Sequence, residues 1–264
     1  MSITRNAKTK AFGVEEGYPT YRLRQARYYD LGLDCSRWAE EHYVTTGRKC
    51  ELLDIGTYDG VTRRYCEIHP GNEHLSYHGV DIFPKGKEFV YKSADWKLHH
   101  IDLSTGLPEL KTAAYDIVVC EQVLEHLHDP QLALREIERV LKPGGRMVVG
   151  VPIFLEGLHL IRKHLVPVYD RVVKTPPRGH VQAWSKRTFM RMVRQTCPHI
   201  KVETTRGFRI LSGGVLRPLE YQRWWWQLNR RVGAMVPGLC TEIQMIAQKP
   251  GVVAKETLPM KRAA

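Results

Sequence analysis

The sequence predicts an α/β fold in which a doubly wound, mainly parallel sheet carries helices on both faces. Three observations lead to this prediction. Short apolar runs alternate with helical segments, several of these runs end in an acid or a glycine turn, and the run at residues 115–122 is continuously apolar, as in strands buried on both faces. Such a series requires right-handed crossovers, which place helices on both sides of parallel strands.

The predicted strands are short segments of apolar or alternating composition. They are residues 50–55, 77–83, 97–104, 115–122, 146–152, 200–206 and 241–249. The chain has 264 residues with 43% hydrophobic content, which is enough for one large domain with a packed core.

Helix signals separate several of these strands. The clearest helix, residues 129–145, has Asp129 as its cap and Pro143 with Gly144 as its stop signal. Ser185 is the expected cap of a second helix that leads towards the two closing strands. The turn after the first strand should open into a further helix.

The order of these elements predicts one sheet domain with additions. A helical spacing from about Asp34 indicates a leading helix that packs over the active-site entrance. The predicted units are an N-terminal segment (1–48), the main domain (49–250) with an inserted lid (152–184) and a basic, aromatic insert (207–240), and a flexible tail (251–264).

The chain is basic, with 40 Lys and Arg residues against 28 Asp and Glu residues and a net charge of +12. This excess favours anionic partners such as nucleic acid, an acidic membrane surface or a phosphate-bearing substrate. It does not choose between them, because simply soluble proteins are also often basic.

The six cysteines are scattered, and no two form a CxxC pair. Because zinc sites and disulfide frameworks usually show tight spacing, we expect free thiols in a reducing cytosol and no metal site. No apolar run approaches the roughly 18 to 20 residues that span a bilayer. Residues 1–12 lack the apolar stretch of a secretory signal, so the expected location is the cytoplasm.

A glycine turn follows the first predicted strand, in LLDIGTYDG at residues 52–60. Ligands of open α/β sheets bind at the carboxyl ends of the strands, and glycine lets the backbone approach them closely. Gly56 and Gly60 can provide this approach, and Asp54 closes the strand.

The next two predicted strands also end in an acid. Asp81 stands where a carboxylate can accept hydrogen bonds from both ribose hydroxyls, and Asp102 can accept one from an adenine amine. Either acid could instead be a turn residue or a helix cap. Their order after a glycine turn favours a nucleotide-like ligand.

These segments resemble the successive motifs of class I S-adenosylmethionine-dependent methyltransferases. The resemblance is carried by LLDIGTYDG, GVDIF, IDLS, YDIVVCEQVLEHLHDP and LREIERVLKPGGRMVVGVP, and it is clearest over residues 51–152. The part from VLEHLHDP to LKPGG is similar to the branch that methylates small molecules, lipids and sugars. The resemblance implies a Rossmann-like seven-stranded sheet with the last strand antiparallel, and S-adenosylmethionine as cofactor.

The resemblance also implies a set of cofactor-binding residues that follow the first four strands. They are Asp54, Gly56 and Gly60 around the methionine part, Asp81 at the ribose, Asp102 and Leu103 at the adenine edge, and Glu121 and Gln122 at the methionine and sulfonium end. Tyr58 departs from the pattern, because the family has a glycine there. Its side chain must point away from the cofactor or lie over it.

Transfer to a hydroxyl requires a base for the departing proton. His126 follows the fourth strand, and His180, at the end of the predicted lid, resembles a histidine at that place in related enzymes. His126 could instead steady its loop, and His180 could form a hinge hydrogen bond. If an amine or a carbanion is the acceptor, neither histidine needs to be a base.

A basic, tryptophan-rich stretch precedes the last strand. Its aromatic and charged residues are Arg223, Trp224, Trp225, Trp226, Arg230 and Arg231. They could contact an anionic membrane surface, stack on bases or a sugar, or form a helix beside the sheet with solvated arginines. Consecutive tryptophans on a helix point in different directions, so at least one is expected in the core.

The main hypothesis is a methyltransferase for a small-molecule, glycan or lipid-linked acceptor, with a hydroxyl as the methylated group. RNA methylation is a second hypothesis that the charge favours, although the chain has CEQV where RNA enzymes carry an N/D-PP-Y motif. A third is a non-catalytic binding protein in which Tyr58 closes the site. A nicotinamide dehydrogenase is a fourth, but the glycine spacing does not match GxGxxG.

Overall fold

The computed structural model describes residues 22–57, 60–82, 96–166, 179–210 and 214–251. Several predicted features fall wholly or partly outside these residues, among them the end of the second predicted strand (residue 83) and part of the basic, aromatic insert (211–213). They also include the start of the N-terminal segment (1–21), Tyr58, the middle of the predicted lid (167–178) and the tail after residue 251.

Seven strands form a single sheet in the order β3-β2-β1-β4-β5-β7-β6. They are β1 (Cys50–Ile55), β2 (Leu75–Asp81), β3 (Lys97–His100), β4 (Tyr115–Glu121), β5 (Leu141–Pro152), β6 (Lys201–Phe208) and β7 (Glu242–Gln248). β7 lies between β5 and β6 and runs antiparallel to both, whereas the other pairs are parallel. The predicted seven-stranded sheet with an antiparallel last strand is therefore confirmed.

Helices connect and cover the strands. They are α1 (Arg22–Thr46), α2 (Val61–Cys66), α3 (Pro130–Val140), α4 (Leu158–Leu160, continued by a π-helix at Ile161–Leu165), α5 (Lys186–Thr196) and α6 (Arg223–Met235). Short 3-10 turns at Leu103–Thr105 and Leu124–His126 follow β3 and β4. Among the described helices, none is long and apolar enough to cross a bilayer.

Two predicted helix caps are confirmed. The Asp129 carboxylate accepts a hydrogen bond from the backbone N–H of Leu132 at 2.9 Å and begins α3. Ser185 and Thr188 form a reciprocal capping box at the start of α5, where each side chain accepts from the other residue's backbone N–H. These bonds satisfy N–H groups that the first helical turn leaves without a partner.

Two predicted helix boundaries were wrong. α3 ends at Val140 rather than at Pro143, because Leu141 is extended, buried and already paired with β4. α1 extends well before Asp34. Its early part escaped the apolar pattern because the buried positions there include charged residues such as Arg27.

The sheet separates two apolar layers. Val118 of β4 packs in the layer that contains α3 and α5, and its neighbour Val119 packs in the layer that contains α1 and α2. This alternation follows from the two-residue period of a strand and explains the continuously apolar sequence of β4. All six cysteines are buried free thiols, as predicted.

Candidate active site

A cavity of about 340 Å³ opens at the carboxyl ends of β1, β2 and β4. Its wall combines residues from these strand ends with residues of α1, α2 and the turn after β4. The lining residues are Tyr28, Asp54, Gly56, Thr57, Val61, Thr62, Asp81, Glu121, Gln122, Val123 and His126. Six of the residues predicted from the sequence thus meet at one site.

A second cavity of about 330 Å³ lies at the amino ends of β1 and β4, beside Cys50 and Asp116. None of the predicted site residues lines it. In open α/β sheets the ligand site is outside the carboxyl ends of the strands, so the first cavity is the candidate active site.

Asp54 forms the buried floor of the site. Its carboxylate accepts hydrogen bonds from the Tyr77 hydroxyl at 2.6 Å and from the Thr62 hydroxyl at 3.2 Å. Burial raises the pKa of Asp54 to about 7, although both hydrogen bonds act in the opposite direction. The sequence analysis missed both hydroxyl partners, because neither lies next to Asp54 in the chain.

The turn after β1 depends on two glycines with left-handed backbones. Gly56 has a φ of +73°, and a Cβ at this position would overlap the Val123 side chain. Gly60 has a φ of +76° and immediately precedes α2, but it does not line the cavity. The turn therefore approaches the segment after β4 so closely that only glycine fits at Gly56.

The acids after β2 and β3 have different positions. Asp81 ends β2 half-buried on the cavity wall. Asp102 is exposed and caps a 3-10 turn by accepting a hydrogen bond from the Ser104 N–H at 2.8 Å, and the Leu103 side chain packs in the core. Neither Asp102 nor Leu103 lines the described cavity wall, so their adenine role stays a prediction.

Glu121, at the end of β4, belongs to a buried ionic network that the sequence analysis missed. Arg27 of α1 lies 3.1 Å from the Glu121 carboxylate and donates a 2.7 Å hydrogen bond to Glu242 of β7. Arg209 also pairs with Glu242, at 2.8 Å. Burial raises the pKa of Glu121, and the positive charge of Arg27 opposes this shift. α1 is thereby fixed over the cavity entrance, where Tyr28 contributes to the wall.

Gln122 has an unusual backbone for a residue with a side chain. Its φ is +57°, and its N–H donates to the Gly150 carbonyl at 2.9 Å. The side-chain Nε2 is buried and has no hydrogen-bond partner among the described residues. Strained backbone and unpaired polar atoms cluster at ligand sites, because a ligand can supply the missing partner.

His126 lies at the mouth of the cavity. Its Nδ1 is 2.8 Å from the Gly179 carbonyl, which can only accept, so Nδ1 carries a proton, and in the neutral ring Nε2 has the lone pair. The His180 ring packs edge-on against the His126 ring at 4.8 Å. Burial, with the neighbouring His126, lowers the pKa of His180. The structure thus brings both predicted catalytic histidines together.

Glu125 is a further site residue that the sequence analysis did not identify. It is fully buried next to His126, and burial raises its pKa to about 8. In the sequence, Glu125 is marked only by its position in the triplet LEH, and the resemblance to known motifs assigned no role to it.

The tryptophan-rich stretch forms α6, which packs beside β6. Trp225 and Trp226 are buried, so the expectation of a core tryptophan is confirmed, and Trp224 is 55% exposed. Arg230 forms an ion pair with Asp30 of α1. This agrees with the alternative of a helix beside the sheet, except that Arg230 is paired with α1 and not only solvated.

Comparison with known proteins agrees with this geometry. Residues 53–149 match a family model described as a methyltransferase domain. The chain is 30% identical over 107 residues to the ubiquinone biosynthesis O-methyltransferase of Aeromonas salmonicida, a match that covers 38% of this chain and 42% of that protein. It is 26% identical over 118 residues to the protein of the same description from Stutzerimonas stutzeri, which covers 42% of this chain and 47% of that protein. The matches thus span less than half of either relative.

Solved structures share the fold. The YcgJ protein from Bacillus subtilis aligns with a TM-score of 0.51 and 17% identity, over 86% of this chain and 99% of that chain. A second match comes from the complex between the Haloferax volcanii Trm112 methyltransferase activator and a methyltransferase. One chain of this complex aligns with a TM-score of 0.51 and 18% identity, over 86% of this chain and 96% of that chain. Residues 53–149 therefore match a methyltransferase domain model, and the described residues have the Rossmann-like fold of the class I methyltransferases.

Proposed function

We propose that the protein transfers a methyl group from S-adenosylmethionine to a hydroxyl group of a small-molecule, sugar or lipid-linked acceptor. The observation that carries this proposal is the composition of the cavity at the carboxyl ends of β1, β2 and β4. It combines a close-approach glycine turn, a carboxylate after β2 and an unpaired amide with a histidine whose Nε2 lone pair is available.

The residues present fit the cofactor. Asp81 would accept hydrogen bonds from the ribose hydroxyls, Gly56 would let the backbone approach the methionine part, and the unpaired Gln122 amide would donate to its carboxylate. Glu121, which also lines the cavity, would face the ammonium and sulfonium end. S-adenosylmethionine would supply a methyl carbon that is already activated by its sulfonium.

The chain's own task is to position the acceptor and to remove its proton. His126 Nε2 would accept the hydroxyl proton, and the Gly179 carbonyl would hold the resulting imidazolium in place through Nδ1. The ordering of both reactants in one cavity contributes much of the rate in a reaction of this type. The names of the Aeromonas and Stutzerimonas relatives support oxygen as the methylated atom.

Isothermal titration with S-adenosylhomocysteine tests cofactor binding. We expect binding in the micromolar range, lost or weakened about 100-fold in Asp81→Ala and unchanged in Glu109→Ala, which removes an exposed carboxylate away from the cavity. Asp102→Ala tests the adenine role separately. Absence of binding to the intact, folded protein would contradict the proposal and favour a non-catalytic binding protein.

A screen of hydroxylated acceptors with a labelled methyl donor tests the reaction. His126→Gln should lower kcat by about 100-fold, because general-base catalysis typically contributes 10²- to 10⁴-fold, and should leave S-adenosylhomocysteine affinity nearly unchanged. Equal kcat in the variant and in the wild type would exclude His126 as the base.

The net charge of +12 favours RNA as a second candidate acceptor. A gel-shift titration with tRNA in rising salt would test this candidate, and absence of binding near physiological ionic strength would exclude it. The exposed Trp224 supports a peripheral contact with anionic membranes instead, for which cosedimentation with anionic and neutral vesicles is the test.

A further inference from the structure

Three side chains with metal-binding atoms meet at the mouth of the cavity. Glu125, His126 and His180 each offer one ligand atom, and these three atoms all lie within 4.8 Å of one another. The His126 Nε2 and a Glu125 carboxylate oxygen are 4.0 Å apart. Sequence spacing could not indicate this group, because His180 joins the other two residues only through the tertiary fold.

Glu125 shows that the group is more than a chance surface cluster. Its side chain is fully buried, and neither carboxylate oxygen has a hydrogen-bond partner among the described residues. A buried carboxylate without partners is costly unless a proton, a cation or a donor neutralises it, and a bound cation would take the place of the proton. His126 and His180 are both exposed and offer ring nitrogens within 4.8 Å of this carboxylate, so the group is accessible from solvent through its two histidines.

The backbone holds the three residues in place. The Glu125 carbonyl accepts hydrogen bonds from the N–H groups of Val181 and Gln182, at 2.8 and 3.1 Å, so the segment that carries His180 is fixed against Glu125. The bond from His126 Nδ1 to the Gly179 carbonyl leaves Nε2 as the ligand atom. Metal-binding histidines typically donate their other ring N–H to a carbonyl or carboxylate in this way.

We propose that Glu125, His126 and His180 form a binding site for a divalent transition-metal ion of the zinc class, with an open coordination position towards the cavity. Two imidazoles and one carboxylate are a donor set that zinc prefers in catalytic sites, where water or substrate completes the shell. Ligand atoms around such an ion are about 3.3 Å apart, given bonds of about 2.0 to 2.1 Å. The observed separations of up to 4.8 Å must therefore shorten by up to about 1.5 Å when an ion binds, which rotation of the two exposed histidine side chains can supply.

This site goes beyond the proposed methyl transfer and does not depend on it. A cation at this position would occupy the His126 lone pair and would lower the pKa of a coordinated acceptor hydroxyl instead. The two roles of His126 are distinguishable, because metal binding is measured without cofactor, acceptor or turnover.

The test is titration of the chelator-treated full chain with Zn²⁺ by calorimetry and with Co²⁺ by visible absorption. We expect one ion per chain and a tetrahedral or five-coordinate Co²⁺ spectrum. Glu125→Gln and His180→Ala should each weaken binding by at least about 100-fold, since loss of an outer partner alone typically costs 10- to 100-fold. His128→Ala, which removes an exposed histidine of the same loop, should bind like the wild type.

Thermal unfolding of each variant verifies that it is folded. If Glu125→Gln does not fold, His180→Ala still tests the site, because His180 is exposed and its removal should not disturb the fold. Unchanged binding in His180→Ala, equal weakening in His128→Ala, or no bound ion in the wild type would overturn the proposal. Titration of the same preparation with S-adenosylhomocysteine reports separately on the proposed function. Metal binding without cofactor binding would contradict only the methyl-transfer proposal.

Discussion

Replacement of Arg27 by methionine should lower the free energy of unfolding by about 3 to 5 kcal/mol at neutral pH, the range measured when one partner of a buried ion pair is removed. The Arg27 side chain is only 2% exposed and lies between Glu121 and Glu242. Methionine fills much of the same volume but carries no charge. Glu242 keeps Arg209, whereas Glu121 loses the cation that faces it, so most of the loss should arise from Glu121.

Arg37→Met is the matched control on the same helix. Arg37 also pairs with a carboxylate, Asp34, but its side chain is 59% exposed, so its loss should cost no more than about 1 kcal/mol. Urea unfolding followed by circular dichroism measures the stability of both variants. The urea concentrations at the unfolding midpoints can be compared if the dependence of the free energy of unfolding on urea concentration is the same.

The cost of Arg27→Met should also depend on pH. Burial raises the folded-state pKa of Glu121, and loss of the opposing cation should raise it further. A carboxyl with a raised folded pKa destabilises the fold when it ionises, so the difference from wild type should shrink as pH falls below 7. Glu121→Gln in the Arg27→Met background should recover part of the loss. The reasoning would be refuted if Arg27→Met and Arg37→Met lowered the free energy of unfolding equally. It would also be refuted if the effect of Arg27→Met changed neither with pH nor with the Glu121→Gln substitution.

Three further predictions concern single positions. Asp54→Asn should gain stability relative to wild type as pH rises from 4 to 8, by at most about 4 kcal/mol, because the raised pKa of about 7 shows that ionised Asp54 destabilises the fold. A difference between the urea midpoints of variant and wild type that stays constant across this pH range would contradict it. Ser185→Ala should lower the free energy of unfolding by about 1 kcal/mol by removing the capping box with Thr188, and Ser185→Asp, which keeps an acceptor, should retain most of it in the same urea assay. Gly56→Ala should weaken S-adenosylhomocysteine binding, because the new Cβ displaces Val123 from the cavity wall; calorimetry with unchanged affinity would show that the close approach is unimportant.

The sequence predicts the sheet well because strand identity follows from local pattern. A continuous apolar run such as β4 specifies its own burial, whereas the alternating sequence of β7 identifies a strand but does not indicate that all of its residues except the last are buried. The position of the glycine turn and of Asp81 on the cavity wall was also predictable. Both follow parallel strands, and the carboxyl ends of parallel strands lie on the same side of the sheet.

Interactions between distant charged residues were not predictable in this way. Arg27 and Glu125 have ionisable side chains yet are fully or almost fully buried, and nothing local distinguishes them from solvated residues. Asp102 shows that one sequence context can fit two roles, and its adenine role stays a prediction. It has the sequence context of a ligand-binding acid, but the described structure uses its carboxylate to cap a turn.

The position of β7 between β5 and β6 constrains the order in which the chain can assemble. β6 is made before β7, yet in the described sheet it pairs with no other strand, so it must wait as an unpaired segment until β7 leaves the ribosome. The Arg27–Glu242 bond closes a loop of 215 positions and forms equally late. A contact between distant residues stabilises the fold only after the long loop between them has closed. The first four strands can therefore associate during synthesis, whereas the contacts of Arg27 with Glu242, beside Glu121, form among the last steps.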